Sequence, residues 1–321
     1  MIVDDLVDVK GVDLLCWNDL MEKAYGLKRR LLARTDENLL SFIHSDPEGA
    51  FVASDDYAGI IGSSFSHVWG TTGWIGPLSV LPSHQSKGLG KELLKRSLLY
   101  LEDQGCIDIG LETMPENPTN MGMYLRAGMN PEGLVVIMGK KVDLRELEEE
   151  PSGHVNIERL SESAAEGNIT EDIRRISRSF RLGLDYSKEI ALTKEFGFGD
   201  TLIATSRENM VGFAVVQTAP RRISMPMTTV RVLALDPRSK DEFLEPLIIS
   251  SELLAADASS PEIHIAVPIA CRSIAVPIAC RRGLDILFSR GYSVVQTFER
   301  MMWMGSSGVN DKHYNFCSWT G

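Results

Sequence analysis

Hydrophobic and polar positions follow first a helical and then a strand period up to residue 81. The segment DLLCWNDLMEKAYG places apolar residues at helical spacing, and TDENLLSFIHSD predicts a second helix with Thr35 or Asp36 as its N-cap. The runs GAFVAS, AGIIGSSFSHVW and TGWIGPLSVL are typical of strands separated by turn residues. We therefore expect two helices followed by an antiparallel meander.

The pattern beyond the meander alternates between helix and strand. A helix should begin in LPSHQSKGLG, run to about Gln104 and end at Gly105. The segment CIDIGLETM predicts a buried strand, PTNMGMYLRAG a short helix ended by Gly128, and LVVIMGKKV a last strand. This order indicates an α/β fold built on a mixed sheet.

The same order of elements recurs after a polar break. The break, DLRELEEEPSGH, is acidic and contains proline and glycine, which is typical of a solvated linker. Two helices, three strands, a helix, a strand, a helix and a final strand SVVQTFERMMW are predicted after it. We expect a tandem duplication with domains at 1–145 and 154–304, a linker at 146–153 and a tail at 305–321.

Two local features lie outside this repeat. IAVPIACR occurs twice within residues 265–281, separated only by Ser273, and one copy is enough to reach the following helix. We interpret the extra copy as a small duplication looped out at the surface. The tail carries Tyr314, Phe316 and Trp319, and such an aromatic end is expected to dock on the protein.

Composition narrows the class of protein. The 321 residues carry a formal net charge of -11, so nucleic acid and anionic membranes are not expected partners. Five scattered cysteines without a CxxC pair indicate reduced thiols in a cytoplasmic protein, and the histidines suggest no metal-ligand cluster. The N-terminal segment is acidic where a signal peptide is basic, and no apolar run approaches the roughly 20 residues of a membrane span.

The segment LPSHQSKGLGKELL has the features of a phosphate-binding loop. Consecutive N–H groups at a helix N-terminus bind anions, and Gly88 and Gly90 allow a pyrophosphate to approach closely. Gln85 can donate a hydrogen bond, and Lys87 and Lys91 supply positive charge. The loop is not a Walker A motif, and the dinucleotide fingerprint fails for want of a third glycine and an acidic partner.

A second motif gives this loop a family context. LSVLPSHQSKGLGKELL, followed after one helix and one strand by NPTNMGMYLRAGM, resembles the GNAT (GCN5-related) N-acetyltransferases over roughly residues 10–142. In that family a Q/R-x-x-G-x-G/A loop holds the pyrophosphate of acetyl-CoA, and an N-x-x-A-x-x-L-Y-x-x-x-G-F segment lines the pantetheine and thiol end. Asn117, Tyr124 and Gly128 match the second segment. The departures from it are Asn120, Met123 and Met129.

The resemblance implies which residues bind acetyl-CoA. The pyrophosphate loop would consist of Gln85, Ser86, Lys87, Gly88, Leu89, Gly90 and Lys91. The strand before it would pair through its backbone with the pantetheine amides, using Leu78, Ser79 and Val80. Asn117 would contribute at the far end of the cofactor. Gly76–Pro77 predicts a bulge in this strand, which would free an N–H group to polarise the thioester carbonyl.

The resemblance also implies direct transfer of the acyl group to an amine through a tetrahedral intermediate. Tyr124 would protonate the departing CoA thiolate, unless it is only a helix residue packed on the sheet. Glu112 is the first candidate for the base that deprotonates the amine, because a carboxylate is unusual in an otherwise apolar strand near the expected thioester. An outward-facing charge at the edge of the sheet would explain Glu112 equally well. His67 is the second candidate, although a lone strand histidine is usually structural.

The second half keeps the order of elements but not the motifs. With Pro82 aligned to Pro237, the positions of the three motif residues of the loop are occupied by Lys240, Phe243 and Glu245. With Gly128 aligned to Gly291, the asparagine and tyrosine of the second motif are replaced by Cys280 and Leu287. The chain thus resembles a tandem GNAT protein with two GNAT-like domains, the second of which is degenerate and forms one wall of the acceptor pocket.

We therefore expect an acetyl-CoA-dependent N-acetyltransferase without a metal, acting on a small-molecule or peptide amine. The alternative is a non-catalytic acyl-CoA sensor or regulatory module that keeps the loop but lacks a base. The identity of the amine, the acyl chain length and the oligomeric state, a homodimer included, stay open at this stage.

Overall fold

The structure of the chain is a computed structural model. It describes residues 1–26, 31–143, 155–163, 169–207, 209–239, 241–270, 278–306 and 314–318. The predicted linker at 146–153, the junction between the two IAVPIACR copies and Trp319 lie outside the described residues. Cys16, Cys106 and Cys317 are free thiols.

The first half contains the helices and strands that the pattern predicts. Its helices are α1 (Leu6–Tyr25), α2 (Asp36–Ser45), α3 (Leu89–Asp103) and α4 (Pro118–Arg126). Its strands are β1 (Ala50–Asp55), β2 (Gly59–Trp69), β3 (Thr72–Val80), β4 (Asp108–Thr113) and β5 (Asn130–Lys141). Helix α1 begins seven residues earlier than predicted, because the added turns bury Val9 and Val12 against the sheet.

The second half repeats the order and adds two short strands. Its helices are α5 (Ile169–Phe180), α6 (Ser187–Glu195), α7 (Leu244–Asp257) and α8 (Ile278–Ser289). Its strands are β6 (Asn156–Arg159), β7 (Gly199–Ser206), β8 (Asn209–Gln217), β9 (Thr228–Leu235), β10 (Glu262–Ala270), β11 (Ser293–Met304) and β12 (Asn315–Cys317). The pattern predicted neither β6 nor β12, since runs of three or four residues carry too little periodicity.

The strands of both halves form one 12-stranded sheet rather than two separate ones. The order is β1-β2-β3-β4-β11-β5-β10-β9-β8-β7-β6, with β12 paired to β9. Among the described strands, β3–β4 and β9–β10 pair in parallel and the other neighbours are antiparallel. The predicted mixed, mostly antiparallel sheet flanked by helices is confirmed, but the sheet is continuous across the halves.

The two halves exchange their last strands around a pseudo-twofold axis. Strand β11 of the second half lies between β4 and β5 of the first, and β5 lies between β11 and β10. The pairs Ser293↔Gly139 and Met302↔Asn130 are equivalent when Gly128 is superposed on Gly291. Each final strand therefore completes the partner half's sheet, and neither half has a complete sheet alone.

Strand pairing also tests the interpretation of the IAVPIACR repeat. Gly110 and His264 are equivalent, because they pair with equivalent residues of the exchanged strands. Eighteen residues separate Gly110 from Gly128, whereas twenty-seven separate His264 from Gly291. The excess of nine equals the period of the repeat, so one copy can be removed without changing the register of β10. This agrees with an insertion by duplication.

The hydrophobic core is likewise shared between the halves. Trp69 and Trp74 of the first half are buried in one cluster with Tyr186 and Phe213 of the second. The aromatic tail docks as predicted, through Tyr314 and Phe316, which are buried in the core of the second half. No helix among the described residues is long and apolar enough to span a membrane.

Candidate active site

Strands β3 and β4 separate to form a gap in the sheet. Their described residues pair in parallel only from Thr72↔Asp108 to Ile75↔Leu111. Beyond this point the register of β3 with β2 shifts between Ser66↔Ile75 and Ser64↔Leu78, which is the predicted bulge at Gly76–Pro77. Leu78 is half-buried there, whereas Ser79 and Val80 are buried.

The loop after β3 leads to the N-terminus of α3 at the same edge of the sheet. Gly88 is the N-cap of α3 with φ +90°, and it supplies no side-chain acceptor to the first-turn amides. A Cβ atom at Gly88 would have no neighbour within 4 Å, and the loop is exposed from Gln85 to Gly88. The unused amides of the first turn and the positive end of the helix dipole therefore face an open site.

Gln85 and Gly90 have structural contacts that the motif did not predict. The Gln85 Nε2 donates to Val80 O at 3.0 Å, so this side chain fastens the loop to β3. A Cβ atom on Gly90 would lie 3.2 Å from Met123 Sδ, so this glycine allows α3 to approach α4 closely. Lys87 and Lys91 are exposed and place positive charge beside the loop.

Asn117 is the N-cap of α4. Its Oδ1 accepts a hydrogen bond from Asn120 N at 3.1 Å, which satisfies one of the amides of the first turn. This contact orients the helix that carries Tyr124. The structure therefore gives Asn117 a positioning role, and its contact with acetyl-CoA stays a prediction.

Tyr124 lies in the hydrophobic core beneath the gap. It is 6% exposed and belongs to the same cluster as Ile75 and Leu111, the last pair before β3 and β4 separate. Burial raises the pKa of the Tyr124 phenol to about 12. Tyr124 therefore keeps its proton at neutral pH, as a general acid must.

Glu112 forms a buried ion pair with Arg300. Its side chain is fully buried, and Arg300 Nη2 of the exchanged strand donates to its Oε1 at 2.6 Å. Ser318 Oγ of the tail donates to Oε2 at 2.7 Å. Both oxygens are engaged, and the charge of Glu112 is matched by a residue 188 positions away. The role of Glu112 as the base stays a prediction.

Glu112→Gln is expected to destabilise the fold by about 3 kcal/mol, because the buried Arg300 guanidinium loses its counter-charge. Urea unfolding measures this free energy. A matched Glu112→Leu/Arg300→Met variant, which removes both charges, should recover most of the loss. If the free energy of unfolding of Glu112→Gln were unchanged and only kcat fell strongly, Glu112 would instead act as the base.

His67 is a neutral, weakly basic ring. Burial lowers the pKa of His67 to about 4. The ring contacts Gly76 O in the bulge through Nε2 at 2.7 Å, so Nε2 carries the hydrogen and the lone pair lies on Nδ1. His67 also packs edge-on against Phe42 at 4.9 Å between ring centroids. The bulge and helix α2 are thus linked through this side chain.

A cleft of about 420 Å³, open mouth included, lies between the halves on the α2 side of the sheet. We call it the inter-half cleft, and its lining residues are Asn38, Ser41, Phe42, Ser45, His67, Trp69, Glu189, Leu192, Phe198, Gln217, Arg221 and Arg231. His67 connects the cleft to the bulge of β3. Sequence reasoning missed this site, because its acid and both of its arginines come from the second half.

A loop of the second half clamps the segment before α2. Thr35 N donates to Arg221 O at 3.0 Å, and Ile223 N donates to Ala33 O at 3.2 Å. Arg222 reaches Asp13 Oδ2 on α1 at 2.6 Å. The second half therefore fixes the position of α1 and α2 over the sheet of the first half.

The second half has no counterpart of the phosphate loop in its described residues. Phe243, opposite Gly88, is the N-cap of α7 with φ −84° and is buried in the core. Leu287, opposite Tyr124, is fully buried. Lys240 and the side chain of Cys280 lie outside the described residues. The position that corresponds to Gly88 is therefore a core residue with right-handed backbone rather than an exposed glycine in the left-handed region.

Part of the first half matches a known family. Residues 16–129 match the model of the Acetyltransferase (GNAT) family. Over 91 residues the chain is 32% identical to N-alpha-acetyltransferase 30 of Schizosaccharomyces pombe; the match spans 27% of this chain and 61% of that protein.

Solved structures match over nearly the whole chain. A GCN5-related N-acetyltransferase from Sphaerobacter thermophilus has a TM-score of 0.66 at 12% identity, covering 97% of this chain and 96% of that one. A tandem GNAT protein from the clavulanic acid biosynthesis pathway has a TM-score of 0.56 at 12% identity, covering 96% and 98%. Residues 16–129 are therefore similar to the acetyltransferase (GNAT) family, and the chain as a whole has the fold seen in these GCN5-related and tandem GNAT structures.

Proposed function

We propose that the first half transfers an acetyl group from acetyl-CoA to a primary amine within a ternary complex. The observation that carries this proposal is the open N-terminus of α3, with Gly88 at φ +90°, beside the gap between β3 and β4. An elongated thioester with a pyrophosphate fits both parts at once. Acetyl-CoA supplies the activated acyl group when it is bound.

The residues of this chain would hold and orient that molecule. The first-turn amides of α3, with Lys87 and Lys91, would neutralise the pyrophosphate, and the backbone from Leu78 to Val80 would bind the pantetheine amides. Tyr124 would donate its proton to the departing thiolate. The amine would approach through the inter-half cleft, which meets the bulge of β3 at His67.

One observation favours the alternative function, a non-catalytic acyl-CoA sensor. Glu112 is engaged by Arg300, and the one carboxylate among the residues lining the cleft, Glu189, is engaged by Arg231 at 3.1 Å. Deprotonation of the amine would then depend on His67, a weak base, or on water. A sensor needs no such step.

Calorimetry with acetyl-CoA and a CoA-release assay over a panel of primary amines separate the two functions. An enzyme binds acetyl-CoA and releases CoA with at least one amine; peptide N-termini belong in the panel because of the resemblance to an N-alpha-acetyltransferase. Binding without turnover would favour the sensor. The absence of binding would refute both.

Phe243→Gly is expected to leave the calorimetric stoichiometry at one acetyl-CoA per chain. The substitution removes a buried side chain, so the free energy of unfolding should fall by about 4 kcal/mol, but it restores neither a loop glycine pair nor a free helix N-terminus. A stoichiometry of two would mean that the second half still contains an acyl-CoA site.

A further inference from the structure

The Gly76–Pro77 peptide in the bulge of β3 has a single hydrogen-bonding group. Proline carries no backbone N–H, so the carbonyl oxygen of Gly76 is the one hydrogen-bonding atom of this peptide. The register of β2 with β3 shifts at this point, and neither residue belongs to a paired position of the two strands. The hydrogen-bond ladder of the sheet therefore does not hold this peptide in place.

A side chain of β2 supplies the missing partner. His67 Nε2 lies 2.7 Å from Gly76 O, and this nitrogen donates its hydrogen because a carbonyl oxygen can only accept. The residue is 4% exposed, so water competes little for the bond. His67 thus fixes the direction of the Gly76 carbonyl.

Packing in turn fixes the orientation of the His67 ring. Phe42 of α2 meets the ring edge-on with 4.9 Å between ring centroids, and Trp69 lies 5.6 Å away at an interplanar angle of 33°. A ring with two packed aromatic neighbours cannot rotate without displacing them. The bulge is therefore connected through a rigid side chain to α2, the helix whose preceding segment the second half clamps.

The second half keeps a bulge at the equivalent position. The alignment that matches Pro82 with Pro237 places Arg231 opposite Gly76. The register of β8 with β9 shifts there as well. A bulge by itself therefore does not distinguish the half that has the phosphate loop from the half that has lost it.

The side chain beside the bulge does distinguish the two halves. Gln217 is equivalent to His67, because their pairing partners on the next strand are equivalent. Its Nε2 donates to Glu189 Oε1 at 3.2 Å and to Thr193 Oγ1 at 3.0 Å. These bonds use both hydrogens of the amide, so none is left for a bulge carbonyl. The contact between a strand side chain and the bulge thus belongs to the half that keeps the phosphate loop.

We infer that His67 is a positioning residue for the acyl transfer, which holds the bulge in the shape that leaves a backbone N–H of β3 free to polarise the thioester carbonyl. The inference rests on the proposed acetyl transfer. A donor to the developing oxyanion stabilises the transition state only if it is already in place when charge develops. A bulge that relaxes should therefore lower kcat rather than the affinity for acetyl-CoA.

Two amide substitutions that differ only in reach test this role. In His67→Gln the amide nitrogen can take the place of Nε2 and keep the bond to Gly76 O, and Gln217 shows that glutamine fits the equivalent strand position. In His67→Asn the amide nitrogen falls short of the carbonyl. His67→Gln should stay within about threefold of the wild-type kcat, whereas His67→Asn should lose about tenfold to a hundredfold with little change in acetyl-CoA affinity.

His264→Asn is the matched control, because His264 is a half-buried strand histidine of the second half. It should keep the wild-type kcat. An equal loss of kcat in His67→Gln and His67→Asn would overturn the inference, since a base is lost in both variants and the bond to the bulge in only one. Full kcat in His67→Asn would overturn it as well.

Nitrogen NMR of the wild-type protein tests the same contact without a variant. The ¹⁵N chemical shifts of the His67 ring should show the hydrogen on Nε2 and a lone pair on Nδ1. A ring protonated on Nδ1 alone cannot donate to Gly76 O and would overturn the inference. This outcome does not depend on whether His67→Asn folds.

Hydrogen exchange separates failure of this inference from failure of the proposed function. The backbone amides of residues 78–80 should exchange faster in His67→Asn than in His67→Gln or the wild type. If exchange behaves in this way but the wild type releases no CoA with any amine, His67 holds the bulge and acetyl transfer fails. If the wild type releases CoA and His67→Asn has unchanged exchange and full kcat, the inference fails and acetyl transfer stands.

Discussion

Gly88→Glu is expected to abolish acetyl-CoA binding, lowering the affinity at least a hundredfold. The backbone at φ +90° disfavours any side chain, and a carboxylate there would stand where the pyrophosphate is expected. Open space around the position means that the protein can still fold with the new side chain. Isothermal titration calorimetry measures the loss.

Gly105→Glu is the matched control for this variant. Gly105 follows the same helix, has φ +74° and likewise has no neighbour within 4 Å of a built Cβ. Both variants should lose about 1 kcal/mol of stability from the left-handed backbone, but only Gly88→Glu should lose the ligand. Equal affinities in the two proteins would place acetyl-CoA elsewhere.

Tyr124→Phe is expected to lower kcat by about a hundredfold to a thousandfold with little change in the KM for acetyl-CoA, because it removes only the proton that the thiolate would receive. The pKa of Tyr124 is raised to about 12, so the phenol is protonated below that value and loses its proton only as the pH rises through it. The wild-type kcat should therefore show no alkaline decline from Tyr124 below about pH 11. Steady-state kinetics of CoA release across pH provides the measurement.

Tyr100→Phe controls for the loss of a hydroxyl from the same packed region. Tyr100 lies on α3 against the cluster that contains Tyr124, and its hydroxyl donates to Asp46 at 3.5 Å. Its kcat should stay within a factor of a few of the wild type. If Tyr124→Phe retained full activity at saturating substrate, another group or water would be the acid.

The motif residues lie close together at one edge of the sheet, and the structure gives several of them contacts that the motifs did not predict. Gly88 is the residue whose backbone and exposure suit an anion site. Gln85 ties the loop to β3, Gly90 allows two helices to approach, and Asn117 caps α4. These contacts were not predictable because the motif records which residues recur in the family, whereas the contact depends on the position of neighbouring helices.

Glu112 shows the limit of single-strand reasoning most clearly. The carboxylate in this apolar strand forms an ion pair with Arg300, which lies beside it only because β11 is exchanged between the halves. The inter-half cleft is a similar example, because Arg221 and Arg231 lie far along the chain from His67. No local pattern predicts a pairing between positions so distant in the sequence.

The sequence by itself determined the elements, their order, the duplication and the loop at the start of α3, because periodicity, capping and glycine backbone freedom act over a few residues. Only the tertiary structure decided that the halves share one sheet, that Glu112 forms an ion pair with Arg300 and that Arg221 and Arg231 line the same cleft. Strand pairing and charge compensation depend on which surfaces meet in space. Along this chain those surfaces belong to opposite halves.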